Sequence, residues 1–148
     1  MPDPIQRAIK KLKEMKASID KSLQTSINTN KKVLIEQQTE GQMDKGKDAN
    51  NISLVPDYAL STKIAKRRKQ QPTNRVTLKD TGKLYDSIDI QAGTTEVVFS
   101  ANVDYYKYLV AHYDTNQILG IQPKEMKEFI DKYTLPEIEK QFKAIIRK

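Results

Sequence analysis

Three places in the chain set carboxylates, hydroxyls or a histidine at spacings that chemistry could use. Asp80-Thr81-Gly82 repeats the tripeptide found around the nucleophilic carboxylate of aspartic proteases. That chemistry needs two carboxylates sharing one proton on paired loops flanked by apolar strands. The chain carries one copy, Lys79 and Lys83 would place cations beside any dyad, and the following "KLYDSI" reads as helix. A turn into a helix, with Asp80 or Thr81 as the cap, is the better reading. His112 lies between Asp104 and Asp114 in "DYYKYLVAHYD" and could serve as a general acid or base. No Ser- or Cys-centred nucleophile accompanies it, so a packed or hydrogen-bonded histidine is expected. Asp44 and Asp48 in "DKGKDANN" resemble a piece of an oxygen-ligand calcium loop. Two lysines interrupt them and the closing bidentate glutamate is missing, which favours a solvated turn. No catalytic, cofactor-binding or metal-ligating residue is therefore assigned.

The elements that hold these residues follow from periodicity. Ile5, Ala8, Leu12, Met15, Ile19, Leu23 and Ile27 recur at helical steps, which predicts a helix over residues 4–28 opened by Asp3 and Pro4. Its apolar stripe is narrow, so it should pack along one neighbour. "KKVLIEQQTEGQ" resumes the helix to about Gly41, and "GQMDKGKDANN" is turn chemistry. A helix is expected from Tyr58 to Lys69 and a short one after Gly82. "SIDIQ" and "EVVFSA" should pair as a hairpin around "AGTT". Asp104 should cap a helix of two to three turns within Asp104–Asp114, and Pro123 should open another. Thr134 and Glu137 have capping-box spacing for a last helix. The predicted fold is α+β: a long N-terminal helix, a small antiparallel sheet with a hairpin, and C-terminal helices packed on one face. Residues 1–40 form a helical arm and 41–148 an α+β domain.

Charge narrows the partners. The net charge is +7, with Lys63, Lys66, Arg67, Arg68, Lys69, Arg75 and Lys79 against Asp80 alone in residues 61–80. The patch Lys63, Lys66, Arg67, Arg68 and Lys69 lacks interleaved aromatics or glycines for stacking bases. It reads as a solvated face or a site for acidic protein, with DNA contact behind both. Four of the seven tyrosines fall within Tyr105–Tyr113, which suits an interface or a core short of aliphatics. At 148 residues with 37% hydrophobic and 30% charged, the chain has little apolar surface in reserve, so burial against other subunits is expected. It has no cysteine, no run long enough to span a bilayer and no hydrophobic secretion signal at its N-terminus.

"ISLVPDY", the basic "ALSTKIAKRRKQ", "QPTNRVTLKDTGKLYDSI", a hairpin, "YYKYLVAHY" and "ILGIQPKEMKEFIDKYTLPEIEKQF" occur in an order that resembles the tail-completion and virion-morphogenesis proteins of tailed bacteriophages. The versions in phages of Bacteroides-type gut bacteria, including crAss-like ones, are the most similar. The resemblance runs from about Gly41 to Ile146. Its L-x-x-TG-x-L/F-x-x-S signature is met by Leu78, Thr81, Gly82, Leu84 and Ser87, with Asp80 inside it. The resemblance implies a non-enzymatic structural protein of the head–tail interface, made in the bacterial cytoplasm and carried in the virion neck or tail. It would form a homo-oligomeric ring that joins portal or adaptor to tail, needs no cofactor or membrane, and leaves a channel where the basic patch could meet DNA without reading its sequence. A basic nucleic-acid-binding accessory protein is the alternative.

Overall fold

The computed structural model describes every residue except Pro2 and Thr95. Helix α1 runs Pro4–Thr29; the Asp3 carboxylate accepts from Ile5 N at 3.3 Å and Pro4 fills the first turn. Helix α2 (Lys31–Glu36) passes into a π-helical turn, Gln37–Gln42, and a 3₁₀ turn, Met43–Lys45. Helix α3 spans Leu60–Arg68 and α4 is the single turn Lys83–Asp86. Strands β1 (Ile88–Ala92) and β2 (Val97–Ala101) pair antiparallel with Ile90 opposite Phe99. Helices α5 (Tyr106–His112), α6 (Pro123–Phe129) and α7 (Leu135–Ile146) complete the chain, with a π-helical stretch, Ile130–Thr134, joining the last two. The architecture is mixed helix and sheet, mostly helical. The expected hairpin forms, though Thr95 of its "AGTT" turn lies outside the described residues.

The sheet is one-sided. Ile88, Ile90 and Ala92 point inward from β1, while Asp89 and Gln91 face out. Two strands alone are marginal in water, and this pair is held by helices laid across its inner face. Ile27 of α1, Leu34 of α2, Ile90, Ala92 and Phe129 of α6 form one apolar cluster. The second half of the helical segment 1–40 supplies Ile27 and Leu34 to this core. A second cluster gathers Leu54, Val76, Tyr113 and Ile118, and a third Met43, Leu84 and Ile88. Leu78, Tyr106 and Leu109 touch both of these, joining them into one interior.

Gln38 and Gln42, both fully buried, tie the π turn to the segment before α6. Gln38 Nε2 donates to Ile118 O at 3.0 Å and its Oε1 accepts from Gly120 N at 2.7 Å; Gln42 Nε2 donates to Gly120 O at 2.8 Å. These amides stand in for the strand pairing that a loop cannot offer. The expected capping box at Thr134 is not made. Its hydroxyl instead meets that of Ser26 at 2.7 Å, inside the contact between α1 and α7. The chain continues through a π turn, so no orphan N–H groups need a cap there.

Helix α7 runs antiparallel along α1. Thr134 faces Ser26, and Glu137 and Gln141 line one crevice with Thr25, Ser22 and Ser18. The twelve residues of α7 reach about 18 Å at 1.5 Å per residue, which covers α1 back to about Glu14. Every residue from Asp3 to Glu14 is exposed. Ile5, Ile9 and Leu12 are 66%, 46% and 65% exposed, so the first three turns of α1 project as an arm with their apolar stripe uncovered.

Candidate functional site: the basic helix and the Thr81-Gly82 loop

Arg75-Val76-Thr77-Leu78 has β-prone residues but pairs with no strand among the described residues. Side chains collect its backbone hydrogen bonds instead. The Tyr58 hydroxyl accepts from Thr77 N at 2.9 Å and Leu78 N at 3.0 Å, and the Tyr85 hydroxyl donates to Thr77 O at 2.6 Å. Burial and the nearby Asp44 charge push the Tyr85 phenol well above its ordinary value, which keeps it a neutral donor. Leu78 adopts a left-handed φ of 58°, unusual for a branched side chain, and this aims it into the interior between two apolar clusters.

Lys66 is the second clamp. It is buried to 6% exposure, and its ammonium donates to Lys79 O at 2.5 Å and Gln71 Oε1 at 3.2 Å while lying 4.7 Å from the Tyr58 ring centre. Gln71 Nε2 in turn donates to Asp80 O at 2.7 Å. A buried ammonium must spend its donors locally, and this one spends them on the loop 71–80. The five basic residues read as one patch from sequence therefore divide. Lys63 pairs with Asp57, Lys69 with Asp80, Lys66 is interior, and Arg67 and Arg68 alone are exposed without an ion pair among the described residues. The Lys69 ammonium holds the Asp80 carboxyl below its usual range. The Lys63 ammonium, with the Tyr58 N–H, does the same for Asp57.

The Asp-Thr-Gly segment positions a helix, through Thr81 and Gly82 rather than Asp80. Asp80 caps nothing, its carboxylate being taken by Lys69. The Thr81 hydroxyl accepts from Lys83 N at a long 3.4 Å, and Gly82, at φ 89°, is the residue that turns the chain into α4. Leu84 is buried at 2% exposure, and the Ser87 hydroxyl donates to Leu84 O at 2.8 Å, closing the single turn before β1. All the signature residues, Leu78, Thr81, Gly82, Leu84 and Ser87, thus act on the path of the chain. Between this loop, α3 and α5 lies a cleft of about 450 Å³, lined by Tyr58, Leu78, Leu109 and Tyr113 and rimmed by Lys79 and Lys83.

The other candidate groups are also placed. His112 is exposed and stands edge-on to the Tyr113 ring at 4.8 Å, with no hydrogen bond to Asp104 or Asp114 among the described residues. Asp104 does not cap α5; Tyr105 takes that position. Asp48 Oδ1 accepts from Asn50 N and Ile52 N at 2.9 and 2.8 Å, and Asp44 pairs with Arg75. Among the described residues no group of three metal-ligating side chains converges. No helix among them is long and apolar enough to cross a membrane. The tyrosines divide by face: Tyr113 is buried and Tyr106 half-buried, while Tyr105 and Tyr108 are 42% and 65% exposed.

Fold and site together define a small mixed helix-and-sheet protein, mostly helical, whose loop 71–80 is held by the side chains of Tyr58, Lys66 and Tyr85. Comparison with protein-family models, curated proteins and solved structures finds no match for the chain.

Proposed function

We propose that the chain is a structural subunit of a tailed-bacteriophage virion at the head–tail interface, assembling into a ring that connects or seals portal and tail around a channel for DNA. The observation that carries the reading is the arm of α1, three turns of amphipathic helix with Ile5, Ile9 and Leu12 uncovered. Covering what those three side chains still expose is worth roughly 3–5 kcal/mol. An ordinary domain is stable by only about 5–15 kcal/mol. A stripe of that worth suits a subunit completed by its neighbours. The use of every signature residue as architecture agrees with a non-catalytic role.

The nucleic-acid alternative draws on the patch Lys63–Lys69, of which only two arginines stay exposed and unpaired among the described residues. Two phosphate contacts give a shallow salt dependence. Both readings separate in one experiment, mass spectrometry and cryo-electron microscopy of intact virions beside the purified protein. The expected result is stoichiometric presence in particles and a ring of the isolated protein. A strictly monomeric protein absent from particles refutes the proposal, and tight DNA binding that falls steeply with salt would favour the alternative.

A further inference from the structure

The arm needs a site, and its own body cannot supply one. Helix α1 is continuous from Pro4 to Thr29, so Ile9 lies roughly 27 Å along the axis from Ile27, at about 1.5 Å per residue. Ile27 already sits in the core beneath α2 and α6. The arm therefore points away from the body's grooves, and whatever covers it comes from another molecule.

The arm is basic as well as apolar. Arg7, Lys10, Lys11, Lys13 and Lys16 accompany Glu14 as the only acid in residues 4–16, and none of these cations has an ion-pair partner among the described residues. Two of the body's depressions are basic themselves: the cleft beside the Thr81-Gly82 loop, rimmed by Lys79 and Lys83, and the outer face of α7, with Lys140, Lys143 and Arg147. Both would repel the arm. A third, between α2 and α6, has the opposite sign. Its floor is Val33, Leu34, Phe129 and Tyr133, its volume about 180 Å³, and its rim carries Glu125 and Glu128. Neither glutamate is ion-paired among the described residues, and Lys132 beside them lies over the Tyr133 ring at 5.3 Å. The hollow has room for an isoleucine- or leucine-sized side chain. Lys13 and Lys16 share the three-residue spacing of Glu125 and Glu128, so both pairs lie one helical turn apart on their helices.

We infer that the arm of one copy seats in the α2–α6 groove of the next, with Leu12 entering the hollow, Ile9 against its edge, and Lys13 and Lys16 facing Glu125 and Glu128. The contact is heterologous, because arm and groove are different surfaces at opposite ends of one subunit. Repetition of such a contact closes into a ring when the rotation permits. The inference rests on the ring reading above and adds the joint that would build it.

Charge reversal tests it on the full chain, with sedimentation velocity reading the concentration at half-assembly. Lys13→Glu with Lys16→Glu should raise that concentration by at least about tenfold, and Glu125→Lys with Glu128→Lys should do likewise. Combining all four should return it to within about threefold of the original. Lys13, Lys16 and Glu128 are exposed and Glu125 is half-buried at the groove's rim, so circular dichroism should be unchanged. The chain has no cysteine, so Leu12→Cys with Val33→Cys should give a disulfide-linked ladder on oxidation, whereas either change alone should not. If the unaltered protein assembles but the combined variant is not rescued and no ladder forms, this joint is wrong and the ring reading stands. If the unaltered protein stays monomeric at every concentration, the ring reading falls and this inference with it.

Discussion

Replacing Tyr58 with phenylalanine removes one oxygen and no packing volume. That oxygen accepts from both Thr77 N and Leu78 N, at 2.9 and 3.0 Å. Thr77 is 1% exposed, so its amide finds no water when the hydroxyl is gone. Leu78 is half-buried and regains part of its solvation. A stranded buried donor costs about 1–3 kcal/mol, so the full cost for Thr77 and a part cost for Leu78 give about 2–3 kcal/mol. For a chain of this length each kcal/mol lowers the melting midpoint by about 2–4 °C, which makes the expected shift roughly 4–12 °C. Tyr85→Phe removes a single donor to Thr77 O and should cost about 1 kcal/mol. Because both hydroxyls hold the same residue, the double variant should depart from additivity. Urea unfolding followed by circular dichroism, at a concentration low enough to exclude association, measures all three. A Tyr58→Phe protein within about 0.5 kcal/mol of the original would refute the claim that side-chain hydroxyls replace strand pairing in this loop.

Gly82→Ala should destabilise by about 1–2 kcal/mol through its φ of 89° alone, since an added Cβ would meet nothing nearer than 3.9 Å. Asp80→Asn should change stability by less than about 1 kcal/mol, its ion pair being exposed; thermal melts of both variants check the contrast. Gln38→Met should cost about 3 kcal/mol or more, because it strands Ile118 O and Gly120 N inside the body. Alkaline stability follows from Tyr85 and Tyr113, whose phenols are raised by burial, that of Tyr113 to about 12. A raised folded-state pKa gives stability that is complete below the unfolded value near 10 and is lost as pH rises toward the folded one. The urea midpoint should therefore hold from pH 7 to 9 and fall above about pH 10, less steeply in Tyr85→Phe.

Local pattern was enough for the element types. The three- and four-residue recurrence of α1, the prolines opening α6 and α7, and the alternation of Ile88-Asp89-Ile90 are properties of a short stretch read alone. The caps failed where a nearby polar side chain found a better partner elsewhere in space. Asp80 went to Lys69 and Thr134 to Ser26, while Asp104 left its helix end to Tyr105. The basic run Lys63–Lys69 is divided for the same reason. Its lysines stand three residues apart in the chain, yet one points to Asp57, one into the core and one to Asp80. A three-residue spacing keeps them on one side of α3, and only what surrounds each side chain in space decides which charge stays free.

What the sequence by itself determined was the α+β composition, the placement of the helix-entry turn at Thr81-Gly82 and the amphipathic character of α1. Each depends on residue type and spacing within a few turns. Tertiary structure alone decided how far along α1 the core extends, which tyrosine hydroxyls serve the loop at Thr77 and Leu78, and which groove carries unpaired glutamates. Those outcomes hang on contacts between residues dozens of positions apart, such as Ser26 with Thr134 and Gln38 with Gly120. The arm shows the division most plainly. Its stripe is written evenly from Ile5 to Ile27, but α7 is only long enough to cover the second half.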